Sequence, residues 1–287
     1  MTSTQDLVEH LKLKSLDATT FEGYSVPVGS PNVFGGQVLA QAIAAAYNTI
    51  TNNRVLNSMH SYFLEAGDLN KPITFKVDVM RDGGSFSTRR VTAKQDAVIL
   101  FILACSFHKN EDGYEHQIEM PANIKPPEQL MSWTDMAKQY GEMLPKFARK
   151  FLEKDRPIEV KPTDVINPFD RNDMPPTTSV WFKLKGNVQE LSIPRKQEIL
   201  TYISDYNILS VGLNRHASKA HWGNTIMASL DHTMHYFRDF NANDWMLYVL
   251  DTPSSQNART LCRGHIFTRE GILVATVAQE GLMRPVK

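Results

Sequence analysis

The sequence runs through the same order of patterns twice, and that repetition limits the possible folds more than any single motif does. In the first half, residues 34–47 (FGGQVLAQAIAAAY) place Val38, Leu39, Ala42, Ile43 and Ala46 at helical spacing behind a glycine pair. Residues 58–65 read as a strand. Ile73, Phe75, Val77 and Val79 then alternate with Thr74, Lys76 and Asp78, the period of a half-buried strand. Asp82-Gly83-Gly84 is a turn signal, and residues 85–94 read as the returning arm of a hairpin. The apolar run 97–107 (AVILFILACSF) predicts a strand buried on both faces. The second half begins again with a helical pattern in 197–213, followed by strand signals at 226–237, 245–251, 258–267 and 272–279. A helix followed by an antiparallel meander, twice over, predicts an internal duplication.

Pro121, Pro126, Pro127, Pro157, Pro162, Pro168, Pro175 and Pro176 punctuate the middle of the chain. So long a stretch without strong periodicity is unusual inside one compact unit. The expected organisation is therefore an N-terminal unit over 1–110, a connector over 111–180 with a helix at 129–153, and a C-terminal unit over 181–287. Each unit would wrap a curved antiparallel sheet around a long helix, an α+β arrangement.

Composition removes several classes of function. Lys plus Arg and Asp plus Glu number 31 each, so no strong net field draws the 287-residue chain to nucleic acid. The longest uncharged apolar run, 97–105, is far shorter than the roughly 20 residues a membrane helix needs. The N-terminus shows no basic segment followed by an apolar one, and the two cysteines suit a reducing compartment. The expected location is cytoplasmic, or peroxisomal for a eukaryotic source, although Arg284-Pro285-Val286-Lys287 is not a Ser-Lys-Leu signal.

Four segments carry a family likeness: FGGQVLAQA (34–42), HSYFLEAGD (60–68), LDHTMHYF (230–237) and VAQEGLMR (277–284). On these the chain resembles the acyl-CoA thioesterase II family from about residue 8 to 285, least across the connector. The resemblance implies a double hot-dog fold, hydrolysis of fatty acyl-CoA to free fatty acid and CoA, no cofactor or metal, and homo-oligomers (dimers or tetramers). It also implies a polar triad. The aspartate of the second-half helix, in Ser-Asp-Tyr-Asn, is Asp205; the hydroxyl residue two positions before the Asp-His pair is Ser229; the glutamine opening Gln-Glu-Gly is Gln279. Bacterial members often carry threonine where Ser229 stands. Serine keeps the hydroxyl and drops the methyl that stiffens its rotamer.

These residue types suit the chemistry. A thioester is already activated, so the site needs a held water, a base and donors for the developing oxyanion. Partial desolvation of Asp205 would raise its pKa and make it a better base. Ser229 and Gln279 can each donate and accept hydrogen bonds without changing charge. All three come from the second half, leaving the first to shape the acyl channel or bind CoA. At Phe34-Gly35-Gly36-Gln37 a free helix amide could polarise the carbonyl, or the glycines could simply allow close packing of the units; packing is the expectation. Arg81, Arg89, Arg90, Arg259 and Arg263 are candidates for CoA phosphates, although solvated surface is the ordinary place for arginine.

Other features have plainer readings. Adjacent strand residues face opposite ways, so Asp231 and His232 should not act on one site; Asp231, on the face of Ser229, is expected to support the active water. The histidines show no HExxH spacing, Cys105 and Cys262 sit in strand patterns as buried filler, and no GxSxG elbow is present. A hot-dog enoyl-CoA hydratase is the nearest rival, with a signature resembling Asp-x-Asn-Pro-Leu-His. Here Asp205-Tyr206-Asn207-Ile208-Leu209-Ser210 replaces the histidine by Ser210, which cannot be the second acid–base group at neutral pH. Retention of all three triad positions speaks against a third reading, a non-catalytic acyl-CoA-binding protein.

Overall fold

The computed structural model describes the chain except for residues 30, 31, 52, 144–148, 150, 151, 165–171, 187–189 and 287. Among the described residues its helices include α1 (Thr4–His10), α2 (Gly35–Tyr47), α3 (Trp133–Tyr140) and α4 (Ile193–Ser204), of which α2 and α4 pack against each other. Helix α2 is buried without a break from Gly36 to Ala46, so it is enclosed all round rather than amphipathic. Its alanines let neighbours approach closely. Its two buried glutamines tie down the preceding segment: Gln37 exchanges hydrogen bonds of 2.9 and 2.8 Å with the Val26 backbone, and Gln41 Nε2 donates to Tyr24 O at 3.0 Å.

The first-half strands are β1 (Lys14–Ser15), β2 (Thr20–Gly23), β3 (Arg54–Phe63), β4 (Ile73–Asp82), β5 (Phe86–Gln95) and β6 (Val98–Lys109). The rest are β7 (Ile158–Pro162), β8 (Thr177–Leu184), β9 (Thr225–Ser229), β10 (Asp231–Tyr236), β11 (Met246–Gln256), β12 (Arg259–Thr268) and β13 (Leu273–Pro285). Among the described residues they form one antiparallel sheet in the order β1-β2-β4-β5-β6-β3-β10-β13-β12-β11-β8-β7, with β9 paired to β13 off that path. The two half-sheets join at β3 and β10, where Met59 lies opposite Met234. The architecture is thus the expected double hot-dog: two helices at the centre and a curved half-sheet around each.

Three details depart from expectation. The run 97–107 is not buried on both faces: Val98 and Ile99 are 50% and 40% exposed, and Ala104 is also exposed, while Phe101, Leu103, Cys105 and Phe107 point inward. The helices cover only one face of the sheet, so even this apolar strand alternates. Residues 111–180, expected to connect, also supply β7 and half of β8 to the far edge of the second half-sheet. Pro162 is tolerated there because β7 is an edge strand. Of the helix expected over 129–153, α3 begins with a capping box between Ser132 and Asp135 and ends at Tyr140; 144–148, 150 and 151 lie outside the described residues.

Candidate active site

The site is built where α4 ends. Asp205 is the C-cap of that helix, and Asn207, at φ 66°, turns the chain into a 3₁₀ helix over Ile208–His216. Asp205 projects from the end of α4 toward the start of α2. Its Oδ2 accepts the Gly36 backbone N–H at 2.8 Å, and its Oδ1 accepts Gln279 Nε2 at 3.2 Å. The same nitrogen donates to Ser229 Oγ at 2.8 Å. One carboxamide therefore joins the three residues that the sequence pointed to. Gln279 is fully buried in the middle of β13, whereas Asp205 and Ser229 are only half-buried.

The electrostatics follow from this placement. Loss of solvent raises the Asp205 carboxyl above the ordinary aspartate value, and His232, Gln279 and the Gly36 amide oppose the rise. The start of α2 adds the positive end of a helix dipole. Phe34 walls one side, with its ring 4.6 Å from Tyr206 and 5.4 Å from Tyr202, centre to centre.

Two participants were not read from the sequence. Gly36 does more than pack, since its amide holds the carboxylate. His232 lies in the cluster rather than apart from it: Nδ1 contacts Gln279 Oε1, and Nε2 is 2.9 Å from Ser204 Oγ. Strict alternation put Asp231, not His232, on the face of Ser229. The register explains the reversal, because Ser229 pairs with Gly281 and Thr233 with Ala278, leaving three residues opposite two. This bulge between β9 and β10 adds one residue and turns both Ser229 and His232 inward. Asp231 instead accepts the Glu280 backbone N–H at 2.7 Å, which steadies the bulge. The single strand expected over 226–237 is accordingly two.

The remaining candidates are placed elsewhere. Arg89 is buried, held by Thr49, Asp82 and the Arg81 carbonyl, while Arg90, Arg259 and Arg263 pair with Asp78, Glu280 and Asp251. Both cysteines are buried, with thiols pushed up to about 12 for Cys105 and about 11 for Cys262, so neither is a ready thiolate. Ser210 donates to the Asn207 carbonyl within its own turn, which further weakens the hydratase reading. Among the described residues no group of three or more His, Cys, Asp or Glu could hold a metal ion. Surface hollows lined by Met120, Trp181 and Arg269, and by Lys196, Asp239 and Phe240, share no residue with the cluster.

Among the described residues the first unit has no equivalent cluster. Cys105 faces Met59 as Val277 faces Met234, so Phe107 stands where Gln279 does in the second unit. The Phe107 ring meets Tyr47, at the end of α2, edge-on at 4.9 Å, and the Tyr47 hydroxyl donates to Gln197 of α4.

A carboxylate, a hydroxyl and a carboxamide gathered between the central helices of a double hot-dog fit the class of hot-dog thioesterases. Residues 25–108 match the family model for the acyl-CoA thioesterase N-terminal domain, and residues 147–282 the model for acyl-CoA thioesterase. The chain is 35% identical to acyl-CoA thioesterase 2 of Haemophilus influenzae over 279 residues, covering 97% of each. It is 32% identical to human acyl-coenzyme A thioesterase 8 over 283 residues, covering 96% of this chain and 87% of that one. The crystal structure of an acyl-CoA thioesterase II, TesB2, from Mycobacterium marinum matches it with a TM-score of 0.78 at 31% identity, covering 97% of both chains. The chain belongs to the acyl-CoA thioesterase family.

Proposed function

We propose that this family member hydrolyses fatty acyl-CoA thioesters with a water held between Asp205 and Ser229, both fixed by Gln279. The observation that carries this reading is the single Gln279 nitrogen lying 2.8 Å from Ser229 Oγ and 3.2 Å from Asp205 Oδ1. Because Ser229 accepts from Gln279, its own O–H remains to donate to the water or to the thioester oxygen. The Asp205 carboxylate takes a proton from the water as the water oxygen bonds to the carbonyl carbon. Collapse of the tetrahedral oxyanion breaks the carbon–sulfur bond, and the proton on Asp205 passes to the departing thiolate. Its raised pKa suits Asp205 to both roles, while the Gly36 amide keeps it aimed.

The same reading takes the chain as two units, 1–110 and 181–287, joined through 111–180, and as a cytoplasmic homo-oligomer, dimer or tetramer. Two free, buried cysteines support the reducing compartment, and no described helix is long and apolar enough to cross a membrane. Sedimentation of the purified protein reads the assembly directly. Thiol release from acyl-CoA tests the mechanism: Asp205→Asn should lower kcat by about 10²–10⁴-fold with the fold intact, as loss of a general base does. Near-normal turnover would remove Asp205 from the reaction.

A further inference from the structure

His232 is a fully buried imidazole to which the reading above gives no role, yet both ring nitrogens touch the cluster or its support. Gln279 Nε2 is committed as a donor to Asp205 Oδ1 and Ser229 Oγ, so Gln279 Oε1 is the end that faces His232 Nδ1. An amide oxygen only accepts, and Nδ1 must therefore carry a proton. A carboxamide can turn over with little change of shape. Turned over, Gln279 would set its oxygen against the Asp205 carboxylate and its NH₂ against a second donor.

We propose that His232 is a positioning residue whose Nδ1–H fixes the polarity of Gln279, nitrogen toward Asp205 and Ser229. The proposal rests on the reading of Asp205, Ser229 and Gln279 as the reacting cluster. Ser204 stands at the other ring nitrogen and gives its own proton to the Thr201 carbonyl at 2.8 Å. It is fully buried, its Oγ is 2.9 Å from Nε2, and its carbonyl accepts the Tyr248 hydroxyl at 2.9 Å. The Nδ1 proton and the orientation of Gln279 thus require each other, the carboxamide being held from its nitrogen end by Asp205 and Ser229.

Nitrogen-15 NMR of the histidine-labelled wild-type protein reads the tautomer with no substitution. A protonated Nδ1 on His232 is expected; a bare Nδ1 overturns the proposal. Steady-state kinetics give a second reading. His232→Asn returns a side-chain N–H donor and should keep kcat within about tenfold of wild type, whereas His232→Leu, with no donor, should fall as far as Gln279→Ala, with KM little changed. In a Gln279→Ala background, His232→Leu should cost no more than about twofold further, because its effect runs through the missing amide. Equal losses in the Asn and Leu variants, or losses that multiply in the double variant, overturn the proposal. If Asp205→Asn and Gln279→Ala keep full activity, the cluster reading itself fails, and the tautomer measurement tells that failure from this one.

Discussion

Gly35 and Gly36 are neighbours in sequence, but a methyl group added at each meets different atoms. A Cβ on Gly35 would lie 2.8 Å from Asp205 Oδ2 and 3.1 Å from the Phe63 ring. Oδ2 is the oxygen that accepts the Gly36 N–H at 2.8 Å. Carbon and oxygen cannot rest that close, so the carboxylate must swing away and give up this bond. A hydrogen bond to a charged group contributes about 1.5–3 kcal/mol. If that is lost from the transition state, Gly35→Ala should lower kcat/KM by roughly 10- to 150-fold. Stability should change little, because alanine is the better helix former and offsets part of the disturbance. Gly36→Ala is the contrast: its Cβ would lie 2.5 Å from the Tyr202 carbonyl oxygen and from the Phe34 ring. A backbone atom cannot rotate aside, so this variant should lose about 1–3 kcal/mol of stability. Thiol release and thermal unfolding on both variants separate the two effects. Wild-type kcat/KM in a folded Gly35→Ala protein would refute the claim that the Gly36 amide aims the base.

Ser229→Ala and Gln279→Ala should each lower kcat more than they raise KM in steady-state assays, since both position water rather than bind the acyl chain; the reverse split would make them binding residues. The pH profile of kcat/KM should lose activity on the acid side as Asp205 takes up a proton, at a pH above the ordinary aspartate value of 3.8 because burial raises its pKa. An acid limb at the ordinary value would contradict the desolvation. Burial also pushes Glu198 from 4.5 up to about 7, despite its ion pair with Arg195. Between those values the folded protein binds the extra proton, so stability should fall as pH rises, by up to about 3 kcal/mol, and Glu198→Gln should flatten the fall in thermal unfolding.

Much of the scaffold was legible because its signals are local. The alternation of Ile73, Phe75 and Val77 and the Asp82-Gly83-Gly84 turn identified the hairpin of β4 and β5, and the apolar spacing of 34–47 identified α2. Asp205, Ser229 and Gln279 were legible only through resemblance, since nothing in their own surroundings marks them. What stayed hidden depends on tertiary context. A run of apolar residues does not tell whether a helix covers one face of a sheet or two, so the exposure of Val98 and Ile99 could not be read. The bulge beside Leu230 has no glycine or proline to announce it, and a single extra residue exchanged Asp231 for His232 at the site. The strands at Ile158–Pro162 and Thr177–Leu184 were masked by the prolines around them. At Gly36 the backbone, not a side chain, holds the carboxylate, and a glycine pair alone could not tell packing from hydrogen bonding.

Phe107 and Tyr47 stand where the other unit has its polar trio, and this bears on why one polypeptide carries both units. Two identical chains embracing each other would have to use the same side chains at both related places. A fused chain escapes that requirement. One place can hold a desolvated acid at some expense in stability, while its twin is filled with rings that restore it. Calorimetric titration with a non-hydrolysable acyl-CoA analogue should accordingly give one site per polypeptide, however many polypeptides assemble.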